Sequence, residues 1–254
     1  MQRIRKPGEF CWINVMTPET GKAREFFGSL LGWTFTEIPG MGHGIKVGES
    51  NVGGLFDVVS PQTPNGMQPL IGVMVKVESA DATAAKVKAL GGTAMPAFDI
   101  GGAGRMAVCH DPVGGAFDIW ESRSMQGTDV DMSVHGAPSW FETLTLDVER
   151  ATSFYSALFD WTSDVKPMRG HEYTTFQLAG NPVAGLMRIT PETGATKSHW
   201  GTYVSVADVD ATARDAAALG ATPCVPPRDI DGIGRFCGVI SPQGVTFYAI
   251  TYSV

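Results

Sequence analysis

Cys11-Trp12-Ile13-Asn14-Val15-Met16-Thr17, continued by Phe26-Phe27-Gly28-Ser29-Leu30-Leu31-Gly32-Trp33, is the stretch on which the rest of the chain turns. It returns, altered, as Ser139-Trp140-Phe141-Glu142-Thr143-Leu144-Thr145 and Phe154-Tyr155-Ser156-Ala157-Leu158-Phe159-Asp160-Trp161. Laid over each other at an offset of 128, Cys11–Phe35 and Ser139–Ser163 share Trp12/Trp140, Thr17/Thr145, Ala23/Ala151, Phe26/Phe154, Leu30/Leu158, Trp33/Trp161 and Thr34/Thr162. Further on, Asp99–Phe117 and Asp229–Phe247 repeat at an offset of 130, both with Asp-Ile-x-Gly-x-Gly-Arg and Pro-x-Gly-x-x-Phe. An offset that drifts by two residues over so long a span means duplication. The halves run from 6 to 123 and from 136 to 254, joined by a polar, poorly periodic linker at 124–135.

Each half repeats again. Phe10–Met16 reads as a strand, and Gly21–Leu31 as a helix with Ala23, Phe26, Phe27, Leu30 and Leu31 at helical spacing, stopped by Gly32. Short strands are expected near Thr34–Ile38, His43–Val47 and Val52–Val59. The order then recurs: strand Ile71–Val77, helix Ala80–Leu90 ended by Gly91-Gly92, and strands near Thr93–Phe98, Arg105–His110 and Ala116–Trp120. The second half repeats it with helices near Glu149–Phe159 and Val209–Leu219. The unit is βαβββ, four times over. One unit alone exposes a sheet face, so units must pair to close a core.

Length and composition agree with two domains: 254 residues, 43% of them hydrophobic, with 31 Gly and 16 Pro for many turns. The net charge of −7 argues against nucleic acid and anionic membrane as partners. Residues 1–10 carry charge and no apolar run, and no stretch is long and apolar enough to cross a membrane, so a cytoplasmic location is expected. Cys11, Cys109, Cys224 and Cys237 form no CxxC pair and read as reduced, mostly buried thiols.

The repeated Trp-headed strand and aromatic helix, with the closing turns Asp-Pro-Val-Gly-Gly-Ala-Phe (111–117) and Ser-Pro-Gln-Gly-Val-Thr-Phe (241–247), resemble the vicinal-oxygen-chelate superfamily. That group includes glyoxalases, bleomycin-resistance proteins, fosfomycin-inactivating enzymes and extradiol dioxygenases. The resemblance implies an α+β fold of two glyoxalase-like domains, each made of two βαβββ modules forming an open eight-stranded barrel. It specifies chemistry weakly, because one fold hosts many reactions.

Superfamily members that bind a metal take its ligands from the first strand of each module and from the last strand. By that resemblance the slots here are Trp12, Gly72 and Asp118 in the first half, and Trp140, Gly201 and Tyr248 in the second. Only Asp118 is a donor of the usual kind, so no standard metal site and no cofactor are expected. A shifted site from Glu142, His171 and His199 is the alternative. His43 and His171 read as matching turn histidines.

The candidate site follows. Trp12 and Asn14, and Trp140 and Glu142, share strand faces and would wall a cavity for a small aromatic or apolar ligand, or else plug the barrel. Glu142 and Asp118 are the acid/base candidates, because a carboxylate among aromatic walls has a raised pKa. Arg105 and Arg235 read as an anion clamp or as structural partners of Asp99 and Asp229. Trp33 and Trp161 read as core. The Gly-x-Gly turns lack the helix that a phosphate cradle needs, and no nucleophile elbow occurs. The expectation is a small-molecule binder, monomeric or homodimeric; the alternative is a superfamily enzyme, a lyase, isomerase or dioxygenase-like protein, using a carboxylate base or the shifted metal site.

Overall fold

The computed structural model describes residues 4–59, 67–168 and 171–253. The first module comprises β1 (Phe10–Thr17), α1 (Thr20–Leu31), β2 (Thr34–Ile38), β3 (Gly42–Val47) and β4 (Ser50–Asp57). The second comprises β5 (Leu70–Val77), α2 (Ala80–Ala89), β6 (Thr93–Ala94), β7 (Phe98–Ile100), β8 (Gly104–His110) and β9 (Ala116–Ser122). The third comprises β10 (Pro138–Thr145), α3 (Val148–Phe159), β11 (Thr162–Met168), β12 (His171–Leu178) and β13 (Asn181–Arg188). The fourth comprises β14 (His199–Ser205), α4 (Val209–Ala218), β15 (Thr222–Ile230), β16 (Gly234–Ile240) and β17 (Thr246–Tyr252).

Modules adjacent in sequence pair. The first sheet has the order β2-β3-β4-β1-β5-β9-β8-β6, with β7 also on β8; the second has β11-β12-β13-β10-β14-β17-β16-β15. Both curl into open half-barrels. In each, the two modules meet at an antiparallel pair of their first strands, which sets Asn14 opposite Gly72 and Glu142 opposite Gly201.

Local chemistry explains the helices. In α1 the buried residues are Ala23, Phe26, Phe27, Leu30 and Leu31, one continuous stripe, and Gly32 closes it in the left-handed region at φ 67°. In α3 the matching residues Ala151, Phe154, Tyr155, Leu158 and Phe159 are buried, and Asp160 takes the left-handed place of that glycine at φ 56°. Ser79, Asp147 and Asp208 cap α2, α3 and α4 with side-chain acceptors.

One continuous apolar core joins the two halves, built reciprocally. Phe27 of α1 packs on Phe247 of β17, and Tyr155 of α3 on Phe117 of β9. The Trp33 indole donates to the Gly136 carbonyl at 2.7 Å, and the Trp161 indole to the Gly8 carbonyl at 3.0 Å. Both tryptophans are core, and they clasp the opposite half. The segment expected to be a linker is packed rather than free. Val130 is buried, Arg5 donates to the carbonyls of Thr128 and Val130, and the Trp120 indole donates to the Met125 carbonyl.

Two smaller clusters lie apart from this core, one on the concave face of each sheet: Cys11, Met74 and Trp120 with Trp12, Ile100 and Met106; and Tyr203, Phe236 and Ile250 with Trp140, Val225, Ile230 and Tyr248.

Candidate functional site

The concave faces are built from equivalent strand positions. Period-two alternation puts Trp12 and Asn14 of β1, Gly72 and Met74 of β5, Asp118 and Trp120 of β9, and Met106 and Val108 of β8 on the first face. The equivalent set on the second face is Trp140, Glu142, Gly201, Tyr203, Tyr248, Ile250, Phe236 and Gly238.

On the first face the Asn14 amide Nδ2 donates to Asp118 Oδ2 at 3.1 Å. Both residues are partly exposed, as are Trp12, Gly72, Met106 and Val108, whereas Met74 and Trp120 of the same face are buried. A Cβ added at Gly72 would meet nothing closer than 3.5 Å. Burial pushes the Asp118 carboxyl up to about 7, against the opposing hydrogen bond from Asn14.

The second face is closed. Glu142 is 5% exposed and accepts a hydrogen bond from the Tyr203 hydroxyl at 3.1 Å. The Tyr173 hydroxyl also bonds it, and in turn accepts from the Trp140 indole at 3.0 Å. Tyr203 and Tyr248 stack with ring centroids 4.7 Å apart. Glycines make room for the rings: a Cβ at Gly201 would come within 2.7 Å of the Tyr248 ring, and one at Gly238 within 3.1 Å. At Gly185 it would overlap the Tyr173 hydroxyl. Burial raises the Glu142 pKa, opposed by the two tyrosine hydroxyls and by Arg228, whose guanidinium sits 4.9 Å over the Phe236 ring.

The remaining expected residues fall elsewhere. His171 begins β12 opposite Met168 and is exposed; His199 begins β14, its Nδ1 2.9 Å from the Lys197 carbonyl. Glu142, His171 and His199 do not converge, and among the described residues no three or more His, Cys, Asp or Glu side chains are grouped to hold a metal. The shifted site is corrected accordingly: the strand pairing that carries Glu142 to the centre of the second face leaves both histidines at strand ends. His43 and His171 are not equivalent either. His43 lies opposite Leu55, and the residue opposite the matching Leu186 is Thr174. The second half has three more residues between the first and fourth strands of its first module (Asn14 faces Gly54, Glu142 faces Gly185).

Arg105 and Arg235 line neither face. Arg105 makes a two-pronged pair with Asp81 at 2.9 and 3.0 Å and bonds Asp99 at 3.2 Å; Arg235 does the same with Asp210 at 2.8 and 2.9 Å and Asp229 at 3.0 Å. They are structural pairs with the acids expected, plus one helix acid each that sequence reasoning missed. It also missed Tyr173 and Tyr203, the partners of Glu142. The available signal was Gly201-Thr202-Tyr203 standing where the first half has Gly72-Val73-Met74.

The register also moves the expected metal slots. The first-strand residues level with Gly72 and Gly201 are Asn14 and Glu142 rather than Trp12 and Trp140. Neither set fits a divalent ion. The first face offers one carboxylate and one amide, and the second one carboxylate already held by phenols, where three or four N, O or S donors are needed.

Comparison with known proteins places this geometry. The chain matches the glyoxalase-like domain family twice, over residues 12–120 and 141–250. It is 34% identical over 242 residues to CFP32 of Mycobacterium tuberculosis, which carries a provisional glyoxylase name, covering 93% of this chain and 92% of that one. It is 30% identical over 259 residues to the anthracycline biosynthesis protein DnrV of Streptomyces peucetius, covering 96% and 93%. Among solved structures, the Mn(II)-bound glyoxalase from Novosphingobium aromaticivorans superposes with a TM-score of 0.66 at 13% identity, covering 97% of this chain and 82% of that one, a likeness of fold. Two curled sheets of paired βαβββ modules, each matching the same family in its own right, make this chain a tandem member of the glyoxalase-like domain family.

Proposed function

We propose that the chain binds a small aromatic or apolar molecule on the concave face of its first half, without the standard metal set of the superfamily. The observation that carries this reading is the partly exposed carboxylate–amide pair at the centre of that face, with free space at Gly72. Asn14 and Asp118 form a half-buried polar pair among Trp12, Met74, Met106 and Trp120, and Gly72 leaves space beside them. An apolar wall with a few convergent polar groups is the usual composition of a small-molecule site. The second face has the same strands but is filled by its own tyrosines, so the first half carries the site. DnrV is named for anthracycline biosynthesis, which makes an anthracycline the first aromatic probe.

The test is tryptophan-fluorescence titration and thermal shift with an aromatic panel on the wild type and on Gly72→Phe, which sets a ring where the second half holds Tyr248. Saturable binding lost in Gly72→Phe, with Tm unchanged, is the expected result. Binding that survives Gly72→Phe sinks the assignment to this face.

A second reading rests on Asp118 itself. A carboxyl pushed up to about 7 is matched to proton transfer near neutral pH, which a superfamily enzyme would use as general acid or base. Its mark is turnover abolished in Asp118→Asn while the substrate still binds.

A further inference from the structure

Resting on the first-face reading above, we propose that the ligand taken there is cationic, an aromatic or apolar molecule bearing an ammonium or ring-nitrogen charge, with Asp118 as its counter-ion. The case begins with what Asp118 lacks. Among the described residues its one hydrogen bond comes from Asn14 to Oδ2. Among the described residues no lysine or arginine pairs with it, whereas Asp81, Asp99, Asp210 and Asp229 each hold an arginine. Glu142, the carboxylate of the second face, is satisfied by two phenols and feels Arg228. Asp118 has neither, and it is partly exposed.

The neighbouring ionisable groups do not fill the place of a partner. Lys76 lies on the same face of β5, one step beyond Met74, but its ammonium is held by the Gln126 carbonyl at 3.2 Å and side-chain oxygen at 3.0 Å. Cys109, next to Val108 on β8, is a buried thiol pushed up to about 12, and Lys88 of α2 acts on that thiol. His110 stands exposed at the end of β8. The groups across from Asp118 are Met74 and Val108, both uncharged.

The walls suit a cation. Trp12 presents aromatic surface and Met106 polarizable sulfur, both partly exposed, with Trp120 and Met74 buried behind them in the same cluster. Indole faces attract ammonium and pyridinium charge. A carboxyl left without a cation in such surroundings holds its proton near neutral pH, and an arriving cation displaces that proton to solvent.

The experiment is a calorimetric titration of the full chain with a matched pair of probes, N-methylquinolinium and 1-methylnaphthalene, at pH 5.5 and 8. The permanent cation is expected to bind at least about tenfold tighter at pH 8, where Asp118 is ionised, and tighter than its neutral isostere. Asp118→Asn is expected to remove both differences, while unchanged binding of 1-methylnaphthalene reports that the variant is folded and its face intact. Equal, pH-independent affinity for both probes, unaltered by Asp118→Asn but lost in Gly72→Phe, overturns the cation and leaves the face. Binding of neither probe, or binding indifferent to Gly72→Phe, overturns the face and the cation together.

Discussion

The two concave faces are copies of one design that have diverged at the same rungs of the ladder. Where the first has Asn14, Met74, Val108 and Asp118, the second has Glu142, Tyr203, Gly238 and Tyr248. Each face holds one central carboxylate, but on a different strand: β9 in the first half, β10 in the second. In the second half Gly185, Gly201 and Gly238 leave room for three phenol rings around the carboxylate, and those of Tyr203 and Tyr173 hydrogen-bond it. In the first half the Phe56 ring lies over Gly54, the match of Gly185, but the atoms nearest a Cβ at Gly72 belong to Leu70 and Asn14, and the partly exposed carboxylate accepts from the Asn14 amide. Small residues therefore mean opposite things in the two halves: space kept open at Gly72, space consumed at Gly201.

The contrast can be broken most directly at those two glycines. Gly201→Ala sets a methyl 2.7 Å from the Tyr248 ring and should cost roughly 1–3 kcal/mol, as overpacking does. Gly72→Ala, with contacts no closer than 3.5 Å, should leave stability within about 0.5 kcal/mol while weakening ligand binding. Denaturant unfolding of both variants checks this, and equal losses would show that the faces are packed alike.

A smaller effect separates the carboxylates by pH. Asp118 has a folded-state pKa raised to about 7, above its unfolded value of about 4, so the folded chain binds more protons in that window. Its cost to stability is absent below about pH 4, grows as pH rises, and levels off above about pH 7. Asp118→Asn should therefore stabilise the protein by on the order of 1 kcal/mol at pH 8, discounted for partial exposure, and by nothing at pH 4. Glu142 is shifted in the same direction, but Glu142→Leu strands the Tyr203 and Tyr173 hydroxyls and should lower Tm at either pH. Thermal melts across pH 4–8 distinguish the two.

The smallest effect belongs to the arginines. Arg105→Ala and Arg235→Ala break exposed ion pairs and should lower Tm slightly, less so in high salt, with ligand affinity unchanged in both. A loss of binding in Arg105→Ala alone would bring that arginine into the first site after all.

Much of the fold was legible. The duplication, the helices over Thr20–Leu31 and Val148–Phe159 and the buried Trp33 and Trp161 all follow from apolar periodicity and matched motifs, which depend on neighbours near in sequence. Less of the site was. Trp12 and Asn14 were placed on one face by strand alternation, and Asp118 by its motif, but their meeting across β5 depends on register. The histidines misled because local spacing does not reveal a three-residue difference between hairpins. The phenols of Tyr173, Tyr203 and Tyr248 come from three strands of the third and fourth modules, and only sheet curvature brings them over Glu142.

The amino-acid sequence by itself determined four βαβββ units and their grouping into two halves, because apolar periodicity and matched motifs are local properties. Only the tertiary structure decided how each face is packed. That outcome depends on whether rings from distant strands fill the room that glycines leave, and such packing is settled by register and curvature across the whole sheet.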